Sequence, residues 1–125
     1  RPEAGSMAFH LHVYFDARSR PTALALRERI AALSAVAILG RIHDGPVAFH
    51  PRAMYQVTVS DAELGPVLSQ VLAERGELSV LVHPLHGDVW AEHTDDAMWI
   101  GPRLALDRAR LRRAGSAAAG PRLRS

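Results

Sequence analysis

Residues 9–15, Phe-His-Leu-His-Val-Tyr-Phe, alternate without a break. Phe9, Leu11, Val13 and Phe15 fall on one side of an extended chain, and His10, His12 and Tyr14 fall on the other. No other stretch narrows the fold as much. A strand with one aliphatic and one polar aromatic face belongs in a sheet covered by helices on the first side, with the second side left for something other than hydrocarbon packing. The rest of the chain must supply that cover.

It does so in a regular order. The stretch from Ser19 to Ser34 carries Pro21 near its first turn and Leu24, Leu26, Ile30 and Leu33 at helical spacing, which predicts an amphipathic helix. Residues 36–43, VAILGRIH, read as a second strand, and residues 44–53, DGPVAFHPRA, as a Gly/Pro loop. Residues 54–60, MYQVTVS, alternate again as a third strand. Ser60 followed by Glu63 has the spacing of a reciprocal helix cap, opening a second helix that Gly76 closes. A fourth strand, residues 78–84, stops at Pro84. The order βαββαβ predicts an α+β fold of the ferredoxin-like, split βαβ kind with a C-terminal extension. That extension, residues 85–106, holds both tryptophans and is expected to lie across the open sheet face or against a partner chain. The boundaries that follow are a disordered lead-in at 1–7, one domain at 8–107, and a disordered Arg/Ala-rich tail at 108–125.

The totals restrict the chemistry. A chain of 125 residues makes one ordinary domain, and no apolar run approaches the roughly 20 residues of a membrane span. With no cysteine, any metal must be held by His and carboxylate. The pI near 9.9 would suggest nucleic acid, but seven of the 15 basic residues lie from Arg103 onward, and the body before them carries more acid than base. Every basic residue is Arg, and no aromatic-interleaved basic patch accompanies the charge. The expectation is a soluble, cytoplasmic protein with no nucleic-acid or membrane partner.

Strand order 4-1-3-2 sets the start of the first strand beside the end of the fourth. His83, opposite in parity to Leu78, Val80 and Val82, should then meet His10 and His12 on the open face. Residues two apart on a strand are about 6.6 Å apart at Cα, so neighbouring imidazoles can reach one ion with a third ligand from the adjacent strand. Three histidines suit Fe(II) and also Zn(II). His43, His50, His86 and His93 lie in connections. Asp16 and Glu92 read more simply as a turn residue and a solvated charge, and Trp90 and Trp99 as packing residues.

The segments HLHVYFD, GRIHDGPVAFHP, MYQV, LSVLVHPLHGD and EHTDDAMWIGPRLALD, in that order and spacing, resemble the DOPA 4,5-dioxygenase family over about residues 9–107. The resemblance implies a ferredoxin-like fold, often homodimeric, and extradiol cleavage of a catechol by O2 with a non-haem metal. The matching histidines are His10, His12, His43, His50, His83 and His93. Two departures are visible: Ala48-Phe49 stands where the family often has Gly-Pro, and Leu85-His86 where it often has Asn-Thr.

Strand parity divides these residues into expected roles. His10, His12 and His83 hold the metal, Fe(II) by expectation, with Zn(II) or Ni(II) able to replace it in a crystal. His43, His50 and His93 are the acid/base groups, Tyr14 and Tyr55 orient the ring, and Arg41 or Arg52 pairs with a substrate carboxylate. Two other readings stay open at this point: a non-catalytic dimeric module that binds a metal or aromatic ligand, and a nucleic-acid binder acting through its Arg tail.

Overall fold

The alternating stretch is strand β1, Ala8–Phe15, at the centre of a five-stranded antiparallel sheet. The computed structural model describes residues 7–122; the lead-in expected at residues 1–6 and the tail residues 123–125 lie outside the described residues. In chain order the other elements are α1 (Arg20–Leu33), β2 (Ile38–Leu39), β3 (Ala53–Ser60), α2 (Asp61–Glu74), β4 (Ser79–Pro84), α3 (Val89–Glu92), β5 (Met98–Ile100) and α4 (Arg108–Arg122). The sheet order is β2-β3-β1-β4-β5, so the ferredoxin-like order is present and β5, from the extension, adds a strand beyond β4.

On one face the period-2 side chains of three strands meet α1 and α2. Leu11, Val13 and Phe15 of β1, Val57 and Val59 of β3, and Val80 and Val82 of β4 pack with Leu26, Ile30, Val67 and Val71. All are essentially removed from water. Each such burial contributes about 1.5–3 kcal/mol, which makes this face the main source of stability. The other face carries a smaller apolar group, Tyr14, Met54 and Leu81, with Val47, Trp99, Leu104 and Leu106 packed against it from the loops and β5. The extension does cross the open face, as its composition implied.

Two local expectations are corrected and one holds. The second strand was expected over 36–43 and pairs only at Ile38–Leu39. At Gly40 the backbone comes so close to β3 that an added Cβ would lie 3.1 Å from the Gln56 carbonyl, and pairing resumes only as a single bridge, His43 with Met54. Ser60 does sit at the start of α2, but its side chain makes no cap bond; Glu63 instead accepts from the Ser34 hydroxyl at 2.6 Å, tying the end of α1 to α2. Gly76 closes α2 as expected, with a φ of +56°.

The tail expected to be disordered from residue 108 is helical as α4. One buried side chain, Leu111, anchors it, and Arg108 and Arg112 lie over the Trp90 ring at 4.9 and 4.5 Å. Ala and Arg are strong helix formers, and the arginine stems and guanidiniums cover an indole that would otherwise face water. Among the described residues no helix is long and apolar enough to cross a membrane.

Candidate metal centre

Backbone register builds the site. β1 pairs with β4 so that His10 lies opposite His83, with His12 two residues further along the same face. The Gly/Pro loop folds back through a bridge between Val47 and His50 and delivers the His50 ring to within 4.5 Å of the His12 ring, centroid to centroid. α3 ends at His93, whose ring is 4.2 Å from that of His83. Five imidazoles thus gather on the face that the helices do not cover. His10, His12 and His83 offer ligand atoms all within 4.8 Å of one another, and so do His12, His50 and His93, with His12 in both groups.

Hydrogen bonds decide which ring nitrogens are free. His83 Nδ1 lies 2.9 Å from the Pro84 carbonyl, and His93 Nδ1 lies 2.8 Å from the Val89 carbonyl. A carbonyl can only accept, so both rings carry their proton on Nδ1 and present a lone pair at Nε2. Tyr14 is buried, which raises its phenol above the usual range, and its hydroxyl is 2.7 Å from His50 Nδ1. His50 is its one partner among the described residues. The phenol therefore donates to Nδ1, and neutral His50 keeps its proton on Nε2.

His12 remains the unsatisfied member. Its Nε2 is 3.1 Å from His83 Nε2, and its Nδ1 is buried with no partner. Whichever nitrogen of His12 carries the proton, the protein alone leaves one of its polar atoms unmet. Two imidazole nitrogens, each about 2.1 Å from one ion, would lie roughly 3.0–3.4 Å apart, which is the separation seen here. Donor type and spacing fit a metal ion at Nε2 of both rings, and His12 would then carry its proton on the unpartnered Nδ1.

Burial, more than any neighbour, pushes these imidazoles toward the neutral form a metal requires. His50 is pushed down to about 3 and His83 to about 4, with the adjacent histidines adding to the effect. His12 is lowered well below its ordinary value by burial and then by four neighbouring imidazoles; His10 and His93 are lowered too, against the opposing pull of Glu92.

The chain matches the Dopa 4,5-dioxygenase family over residues 9–110. It is 34% identical over 111 residues to a DOPA 4,5-dioxygenase of Amanita muscaria, an alignment covering 82% of this chain and 49% of that protein. The chain belongs to the Dopa 4,5-dioxygenase family. A 21.2 kDa protein of Botryotinia fuckeliana is 32% identical, over 80% of this chain and 61% of its own length. The chain thus spans 49% and 61% of the length of these two curated relatives. A crystal structure from Nostoc punctiforme, described as a "putative dioxygenase", superposes with a TM-score of 0.83 at 37% identity, covering 91% of this chain and 98% of that one.

Within this family framework, the residues singled out by sequence fall into two sets. His10, His12, His50, His83 and His93 come together. His43 stands outside both ligand groups, half-buried in its bridge to Met54, near enough to His50 to disfavour that ring's protonation. Tyr14 reaches the cluster, but its hydroxyl is spent on His50, so it positions that ring. Tyr55 is corrected: its parity puts it in the helix-side core, where its hydroxyl donates to the Ala23 carbonyl. Arg41 is exposed just beyond β2, and Arg52 lies beside Asp16 at the end of β1 away from His10.

Glu92 was read as a solvated charge and is buried, 4% exposed. Its Oε2 accepts from the backbone N–H groups of His86 and Gly87, both at 2.8 Å, and this pins the turn that follows β4. Nothing in the residue's own sequence position signalled this, because the two donors are backbone groups that any residues would supply. Trp99 was read as packing, and it does stack on Tyr14 at 5.8 Å.

Proposed function

We propose that this chain is a metal-dependent, extradiol ring-cleaving dioxygenase that opens a catechol, such as DOPA or a related catecholic acid, with O2. The observation that carries the reading is the buried set of neutral imidazoles around His12, with the Nε2 atoms of His12 and His83 3.1 Å apart. Family membership and the fold supply the reaction class.

His10, His12 and His83 would hold the metal, with Fe(II) as the ion suited to O2 chemistry. When bound, the ion supplies Lewis acidity toward the catechol oxygens and holds the two reactants together. The 3.1 Å pair formed by His12 and His83 favours this set over His12, His50 and His93, because the Tyr14 hydroxyl turns His50 into a proton donor at Nε2. The two remaining rings are complementary. His93 offers a lone pair at Nε2 that can take a phenolic proton and, as imidazolium, return it, while the His50 Nε2–H can donate a hydrogen bond to a developing oxyanion. Phe49 packs against both rings, 4.5 Å from His50 and 4.7 Å from His93, and keeps water from that side.

The test is oxygen uptake by anaerobically Fe(II)-loaded protein on admission of air, with a catechol panel including DOPA, caffeate and protocatechuate. A yellow ring-opened product with at least one substrate is expected. Metal binding without uptake across the panel would leave a non-catalytic binding module. Should His10→Ala retain full metal affinity while His93→Ala loses it, the ligand set is His12, His50 and His93.

A further inference from the structure

His10, His12 and His83 stand on sheet strands, whose ladder fixes their register, whereas His50 and His93 stand on a loop and at the end of a one-turn helix. α4 touches both of these segments. Its first residue is preceded by Asp107, whose side chain accepts from the Arg110 N–H and whose backbone N–H donates to the Phe49 carbonyl at 2.9 Å, one residue before His50. One turn on, fully buried Leu111 reaches a cavity of about 240 Å³ that His93 and Thr94 also line, with Arg103 and Arg108 at its rim. Arg108 and Arg112 lie over the Trp90 ring, and at Gly115 an added Cβ would come within 3.7 Å of the Trp90 backbone nitrogen. Trp90 is in turn the residue from which His93 hangs. Its carbonyl accepts from the His93 N–H at 3.2 Å and from the Thr94 hydroxyl at 2.7 Å, next to the Val89 carbonyl that fixes His93 Nδ1. The two routes meet at Phe49, whose ring packs on both imidazoles, their centroids 6.1 Å apart.

We infer that α4 is a strap that fixes His50 and His93 relative to each other, with Leu111 and Trp90 as positioning residues for this pair and with no part in holding the metal. The chemical roles of the pair rest on the ring-opening reading above; the placement of the two rings does not. A helix of one turn cannot hold its own shape, so the order of α3 must come from what packs on it. What packs on it is α4, through the Trp90 ring. A displacement of His93 by about 1 Å is enough to cost a proton transfer a large part of its rate, while leaving ligands on β1 and β4 where they are.

The test is made on the full chain loaded with Zn(II), by following the exchange of the histidine Nδ1 protons in nitrogen-15 NMR and measuring Zn(II) affinity against a chelator. His83 Nδ1–H, held by the Pro84 carbonyl, is the internal control. Leu111→Ala and Trp90→Ala should each speed exchange of the His93 Nδ1 proton at least about tenfold, with His83 within about twofold and Zn(II) affinity within about threefold of the parent. Trp90→Phe, which keeps an aromatic face under the two guanidiniums, should restore most of the protection, and Arg113→Ala, at an exposed site on α4, should change nothing. With Fe(II) and an accepted catechol, Leu111→Ala should lower kcat at least about tenfold with KM within about twofold. Equal loss of protection at His93 and His83, unchanged protection at His93 in both variants, or a Zn(II) affinity that falls along with it overturns the inference. If Leu111→Ala loses His93 protection yet keeps its full kcat, the strap has no part in catalysis while the dioxygenase stands. If His93 protection follows the strap and the parent opens no catechol, the strap stands and the ring-opening reading fails.

Discussion

The two faces of one strand, β1, meet opposite physical demands. Toward the helices Leu11, Val13 and Phe15 join an aliphatic core in which the Tyr55 hydroxyl finds the Ala23 carbonyl, with Arg27 lying over the Tyr55 ring at its edge and satisfied through the Gly40 carbonyl, its Nε alone left without a partner. Toward the loops His10, His12 and Tyr14 join a cluster that is nearly as buried yet ends in an unpartnered nitrogen. The first face stabilises the fold, and the second is held in place at the fold's expense. This contrast teaches that burial alone does not distinguish a core from a site; what distinguishes them is whether the polar atoms are satisfied from within.

The largest effects should separate the faces cleanly. Leu11→Ala should cost about 2–5 kcal/mol of stability in urea denaturation while the folded fraction still takes up metal. His12→Leu, close in size and without an orphaned nitrogen, should reduce metal affinity at least about 100-fold, with the stability of the metal-free protein unchanged or raised. A His12→Leu protein that is strongly destabilised without metal would mean that the site face also carries the fold.

Acid should attack only the site face. His50 and His83 titrate near 6.5 when unfolded but are held down to about 3 and about 4 in the folded chain, so the unfolded state takes up protons first. The metal-free protein should keep its full stability above about pH 6.5. As pH falls from there toward 4, it should lose about 1.4 kcal/mol per pH unit for each ring. Bound metal competes with the protons and should move the loss to lower pH. Unfolding midpoints at pH 7 and pH 5, with and without Zn(II), would show it; a metal-free midpoint that does not fall at pH 5 would contradict the burial of neutral imidazoles.

Glu92 tests the support beneath the site. Glu92→Ala leaves the part-buried backbone N–H groups of His86 and Gly87 without their acceptor and should cost about 1–2 kcal/mol, with roughly a tenfold loss of metal affinity as the turn after His83 loosens. Glu92→Gln keeps an acceptor oxygen and should recover more than half of both losses. Equal losses in the two variants would assign the effect to charge.

How far the sequence reached follows the same division. Period-2 alternation is set by the backbone alone, so β1, β3 and β4, their order and the meeting of His10 with His83 could be read from parity. His50 and His93 arrive on a loop and a one-turn helix, and no period announces them; only the resemblance to a known family did. The arginines show the limit most clearly. Arg41 and Arg52 stood next to histidine-bearing motifs in the chain, but the arginines that line the cavity beside His93 are Arg103 and Arg108, brought back by the extension and by a helix that composition alone marked as disordered. Leu111, one buried residue in an arginine-rich stretch, is too faint a signal to find in advance.

The smallest effect is expected at Ala48, in the loop that delivers His50. Its φ of +52° makes it the one non-glycine residue with a left-handed backbone among those described. An L side chain costs about 1–2 kcal/mol there, while glycine gives back part of that by freeing the unfolded chain. Ala48→Gly should therefore raise stability by about 0.5–1 kcal/mol with metal affinity unchanged. On the helix face the same exchange has the opposite sign: Ala23 sits fully buried inside α1, and Ala23→Gly should cost about 1 kcal/mol or more. Urea midpoints of the two variants, measured side by side, give one stabilised and one destabilised protein if backbone strain is confined to the site face. If Ala48→Gly is also destabilising, the loop's left-handed turn is relaxed, and the cost of holding His50 against Tyr14 lies in the burial of the imidazole itself.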